Sequence, residues 1–266
     1  MKNIQLNPLK LNQRRLLQFG VALILIAFLT IFFVVSRKSQ NIGVKNNTVY
    51  LQDGKLYLFD EIIPVNQYPD RLVFHYPYLV VVKPEQQKSL VYNLDTKLKE
   101  IEAKQVLLDY FDGKSLSNSG SVTYFDGQDL GVLCEKGFVK NSYEVLCITK
   151  INKDNVENKL ISIDIKTKKQ KAVYASKNLL TDVSVINGVL YIGEIDLYSQ
   201  TNYVIVDGKC ILSPDVVSLI YEINKKARFA SYKSAFNGQK EASYSIEADK
   251  IVKQEVGKIQ FYRPIN

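Results

Sequence analysis

The spacing of apolar and polar side chains divides the chain in two. From Leu16 to Val35 the only polar side chains are Gln18 and Thr30, and no residue is charged. Those 20 residues, wound as a helix at about 1.5 Å each, match a hydrocarbon core about 30 Å thick. A helix also satisfies its own backbone groups, which lipid demands. The pattern predicts a basic tail over 1–15, a single transmembrane helix over 16–36, a linker over 37–44 and an external domain over 45–266. The alternatives are a leader cleaved after Val34-Val35-Ser36 and a buried core helix.

Beyond the linker the apolar runs are short and are separated by turn dipeptides. Six Asx-Gly pairs recur: Asp53-Gly54, Asp112-Gly113, Asp126-Gly127, Asn187-Gly188, Asp207-Gly208 and Asn237-Gly238. Both positions tolerate positive φ, as tight hairpin turns require. The flanks predict registers: Leu51 opposite Leu56 and Tyr50 opposite Tyr57, with similar pairs around Asn187-Gly188 and Asp207-Gly208. An all-β domain follows. One segment stays open between two readings, a short helix after Ser213-Pro214 or a strand over 216–221.

A longer period is superposed. Tyr92-Asn-Leu-Asp-Thr-Lys97 aligns with Ile163-Asp-Ile-Lys-Thr-Lys168, and Tyr244-Ser-Ile-Glu-Ala-Asp-Lys250 is a degraded third copy. Each lies between two strand-like runs. This signature resembles the outer hairpin of β-propeller blades in WD40-like and quinoprotein-like families. It covers three short windows, and there is neither a tryptophan nor a Gly-His pair to name a family. The resemblance implies two blades, each about 40–45 residues, per offset, and about five blades in all. A β-sandwich or two β modules are the alternatives.

Charge changes the picture only at the N-terminus. The formal charge is +8, but residues 1–40 carry six basic side chains and no acidic one. The remainder is nearly balanced, which argues against nucleic acid as a partner. Basic residues are denser before the apolar run than after it, which favours a cytoplasmic N-terminus and an extracytoplasmic domain in the cell membrane.

Candidate chemistry is sparse. His75 is the only histidine, among aromatic neighbours, and reads as structural rather than as a base. Neither a nucleophile elbow nor a phosphate-binding glycine loop is present. No catalytic, cofactor-binding or metal-ligating residue is assigned. Asp109, Asp112, Asp126 and Asp129 fall in and beside a twice-used Tyr-Phe-Asp-Gly; converging carboxylates are a candidate Ca²⁺ site, but these read first as turn residues. If Gly131–Val139 pairs with Ser142–Lys150 around Lys140-Asn141, Cys134 faces Cys147 as a candidate disulfide. Cys210, opposite Ile205, reads as core. Tyr68, Tyr76 and Tyr78, beside Pro69 and Pro77, form a candidate contact surface. The Lys166–Lys171 stretch reads as the tip of a hairpin.

The expected function is a non-enzymatic binding or scaffold protein, held in the bilayer through residues 16–36 and presenting its domain to an envelope protein. The rivals are a carboxylate-based hydrolase of cell-surface glycans and a membrane-tethered sensor.

Overall fold

The computed structural model describes residues 48–65, 70–151, 157–232 and 241–262. The segment 16–36 lies outside these residues, as do Tyr68, Pro69 and Asn237-Gly238. Among the described residues no helix is long and apolar enough to cross a membrane.

Among the described residues twenty-four short strands form six four-stranded antiparallel sheets, which here are named blades A to F. Blade A orders β24 (Ile259–Tyr262), β1 (Val49–Gln52), β2 (Lys55–Leu58) and β3 (Glu61–Pro64). Blade B runs β4 (Arg71–His75), β5 (Tyr78–Lys83), β6 (Lys88–Asn93) and β7 (Leu98–Ala103). Blade C runs β8 (Leu107–Phe111), β9 (Lys114–Ser119), β10 (Val122–Phe125) and β11 (Gln128–Asp129). Blade D runs β12 (Lys136–Asn141), β13 (Glu144–Ile151), β14 (Glu157–Asp164) and β15 (Gln170–Ser176). Blade E runs β16 (Leu179–Ile186), β17 (Val189–Asp196), β18 (Thr201–Val206) and β19 (Lys209–Ser213). Blade F runs β20 (Leu219–Ile223), β21 (Lys226–Ser231), β22 (Ala242–Glu247) and β23 (Lys250–Val256).

The first strand of each sheet packs on that of the next, from β4 through β8, β12 and β16 to β20, and β20 also meets β24 and β4. This arrangement is a β-propeller of six blades, not five. The expected period was too long. Successive first strands begin at Arg71, Leu107, Lys136, Leu179, Leu219 and Ile259, and blade C is built from strands as short as two residues. The ring is closed within blade A, where C-terminal β24 pairs with N-terminal β1.

Local turn chemistry produces these hairpins. In the five described Asx-Gly pairs both residues have positive φ. The registers Leu51–Leu56, Tyr50–Tyr57, Val183–Ile192 and Ile205–Cys210 follow. The long-period repeat also lands in place. Its three copies are the β6–β7, β14–β15 and β22–β23 hairpins of alternate blades B, D and F. All three hairpins share a further feature, one extra residue in the outermost strand: Glu100, Val173 and Gln254. A bulge at that edge twists the strand away from a second chain's backbone. No helix follows Ser213-Pro214: residues 216–218 have no regular structure, and the strand β20 starts at Leu219 rather than at Val216.

The core is layered between blades rather than gathered in one ball. Val80, Val82, Val91, Leu107 and Tyr110 fill the B–C junction. Cys134, Val139, Val145 and Ile163 pack against Leu116 and Phe125 between C and D. Junctions D–E and E–F have their own clusters, around Leu160 with Ile192 and around Val204 with Phe229. The largest layer joins F, A and B, where Phe74, Tyr221 and Phe261 meet with ring centroids 5.3–6.3 Å apart.

Cys134 and Cys147 are joined by a disulfide, but not through the expected ladder. Cys147 pairs with Gly137, and β12 begins only at Lys136. Cys134 instead sits in the link from blade C to blade D. Its N–H donates to Thr123 Oγ1 (2.7 Å), and its carbonyl accepts from Asn118 Nδ2 (2.8 Å). The bond thus ties an irregular link to the second strand of blade D. Breaking it by Cys147→Ser is expected to cost about 2–4 kcal/mol of unfolding free energy, measured in urea. Cys210→Ser is the control. Cys210 lies opposite Ile205 as expected, yet it is exposed on the edge strand β19 and is not core.

Candidate functional site

Three charged residues lie on inner strands, and the ring brings them to its axis. Arg71 is the first residue of β4, Lys136 the first of β12, and Asp182 lies within β16. Two β-bulges help to aim them. The ladder shifts between Leu107 and Asp109 in β8 and between Leu180 and Asp182 in β16. In each bulged strand a carbonyl takes a cation. Leu107 O accepts from Arg71 Nη2 at 2.9 Å, and Thr181 O accepts from Lys136 Nζ. Lys136 Nζ also lies 3.7 Å from Asp182 Oδ1, whose Oδ2 accepts from Ile220 N–H at 2.6 Å. These bonds join blade B to C, D to E and E to F.

The three side chains line an axial cavity of about 20 Å³ whose other walls are mainly apolar, among them Phe74, Leu108, Phe138 and Leu219. That volume is about one water molecule, so the axis is not a passage for a substrate. Burial dominates the electrostatics. It pushes the Asp182 carboxyl up despite Lys136, and the Lys136 ammonium down despite Asp182. It also lowers the Arg71 guanidinium.

His75 and Asp109 form a second fastener. His75 Nδ1 is 2.9 Å from Asp109 Oδ2, which also accepts the Val139 N–H at 2.6 Å, while Oδ1 accepts the Tyr110 N–H. Asp109 is fully buried. The imidazole is sandwiched between Phe111 and Phe138, each with its centroid 4.3 Å away. Such a pair has the form of an oriented base, but here both ring faces are covered, and the contacts join blades B, C and D.

The remaining sequence candidates disperse. Asp112 and Asp126 are at the β8–β9 and β10–β11 turns, and Asp129 Oδ1 accepts from Gly131 N–H. With Asp109 in the core, the four carboxylates do not converge. Among the described residues no cluster of three or more potential ligands could hold a metal. Tyr76 is exposed and donates to Asp95 Oδ1 (2.7 Å), whereas Tyr78 packs edge-on against Tyr110 at 5.0 Å. The Lys166–Lys171 stretch is an exposed hairpin tip.

A further concavity was not legible in the sequence. Between blades E and F a cleft of about 550 Å³ opens among the hairpin turns. Its floor includes Ile186, Tyr191, Val206 and Ile246. Its rim carries Lys209, Lys225, Lys226 and Arg228 against Glu247 and Asp249. Lys209 is paired to Asp249 at 2.6 Å, so the net positive charge resides on the β20–β21 hairpin. The sequence signal was Lys225-Lys226-Ala-Arg228, whose relation to the β17 and β18 residues only the fold supplies.

The topology makes the protein a six-bladed β-propeller. No protein-family model matches the chain, and no curated protein matches it. Similar solved structures include the nidogen/laminin complex, 10% identical, covering 81% of this chain and 93% of that one with a TM-score of 0.47. An oligogalacturonate lyase from Vibrio parahaemolyticus is 12% identical, with 78% and 72% of the two chains covered and a TM-score of 0.38. An oligogalacturonate lyase in complex with manganese is 10% identical, with 65% and 48% covered and a TM-score of 0.32.

Proposed function

We propose that the protein is a membrane-anchored binding module. Residues 16–36 cross the bilayer with residues 1–15 in the cytoplasm, and the propeller faces an envelope protein on the extracytoplasmic side. The observation that supports this reading best is the contrast between the two concavities. The axis is closed by an ionic plug, whereas the E–F cleft is open, floored by apolar side chains and rimmed by cations. An acidic partner segment with apolar anchors fits such a cleft: the anchors bury on the floor and the acids meet Lys225, Lys226 and Arg228.

The test is a pull-down with the tagged full-length chain from detergent-solubilised envelopes, alongside the double charge reversal Lys226→Glu/Arg228→Glu. An enriched partner whose capture falls about tenfold or more in the reversal is the expected result. A partner retained equally by both, or none above an untagged control, overturns the reading.

A further inference from the structure

The hydrogen bonds of the axial cavity do not balance. Arg71 spends one N–H on Leu107 O, while its buried Nε is without an acceptor. Among the described residues no carboxylate lies within ion-pair distance of it, since Asp182 is bonded to Ile220 N–H and faces Lys136. Lys136, whose side chain is one-third exposed, carries three N–H donors and finds among the described residues one carbonyl and one distant carboxylate oxygen, so Arg71 Nε is the stranded buried donor. The lining therefore holds two cations against one anion, with donors in excess and no unused carboxylate.

From this geometry we infer that the axial cavity is a halide site, with one chloride held by Arg71 Nε and Lys136 Nζ. Size and chemistry agree. A volume of about 20 Å³ holds one water or one monatomic ion and is too small for a sulfate or phosphate. A water would bring two further donors into a pocket already short of acceptors, whereas chloride brings only acceptance. A counter-ion there also offsets the burial that disfavours the Lys136 ammonium. The consequence is structural linkage: a ligand bound only in the closed ring stabilises the ring and joins blades B and D through its centre.

Two measurements on the full-length chain in non-ionic detergent test this. Crystals grown in bromide should show an anomalous peak between Arg71 and Lys136, and a featureless axis overturns the proposal. At constant ionic strength, exchange of gluconate for chloride should raise Tm by about 3–6 °C once chloride exceeds its dissociation constant about tenfold. Arg71→Gln should lose that increment. If the variant folds and keeps the same increment, the effect is a general one of salt and the site is refuted. If it does not fold, the bromide peak in the unaltered protein decides.

Discussion

Removing the last strand should abolish the folded ring. A chain ending at Val256 lacks β24 and with it the innermost strand of blade A, so β1 loses its partner on that side. The loss is more than one ladder. Ile259 and Phe261 are almost wholly buried, and Phe261 stacks against Phe74 of blade B and meets Tyr221 of blade F edge-on. Burying two such side chains is worth about 3–6 kcal/mol by transfer alone. A domain of this size is stable by about 5–15 kcal/mol in total. Loss of the cooperative urea transition and of near-ultraviolet circular dichroism is the expected outcome. A milder variant, Phe261→Ala, should keep a transition but lower unfolding free energy by about 3–5 kcal/mol. If the truncated chain unfolds with the full-length midpoint, β24 does not close the ring.

What the sequence made legible was whatever is encoded within ten residues. Asp53-Gly54 and Asn187-Gly188 set their hairpin registers because positive φ at two adjacent positions leaves few alternatives. The repeat at Tyr92, Ile163 and Tyr244 marked alternate blades correctly. The blade count was missed because first strands recur more closely than the assumed period, above all from Leu107 of blade C to Lys136 of blade D. The disulfide shows the same limit. The pairing of Cys134 with Cys147 is there, but Cys134 reaches it from a link that leaves the strand pattern.

The axial group was hidden for a different reason. Arg71, Lys136 and Asp182 belong to three blades, and no local spacing connects them. Their one local sign is a single charge beside an apolar run, as in Arg71-Leu-Val-Phe or Lys136-Gly-Phe-Val. That sign was outweighed by the Asp-Gly carboxylates, which are more conspicuous yet mostly serve turns. Bulges at Leu107–Asp109 and Leu180–Asp182 aim side chains toward the axis and leave no recognisable mark on composition.

Asp109 should prove the most costly single carboxylate to remove. Asp109→Ala leaves three donors without an acceptor: the Val139 and Tyr110 N–H groups and His75 Nδ1. The two backbone donors lie buried in a junction whose apolar neighbours offer no substitute, while His75 keeps a partly exposed edge. Each stranded donor costs about 1–3 kcal/mol, and a broken buried pair about 3–5 kcal/mol. Allowing for relaxation, the expected loss in urea unfolding is about 3–5 kcal/mol. Asp112→Ala, at the neighbouring turn, should stay within about 1 kcal/mol. The cycle with His75→Ala separates two roles for Asp109. If the carboxylate acts mainly through the imidazole, the double variant loses little more than either single one, and the coupling approaches 3 kcal/mol. If it acts mainly as an acceptor for the two backbone groups, Asp109→Ala stays costly with or without the ring. The two N–H bonds to Asp109, against one from His75, favour the second outcome. In that case the carboxylate accepts from backbone groups of β8 and β12, end strands that have a ladder neighbour on one side only, and the histidine is a lid upon it.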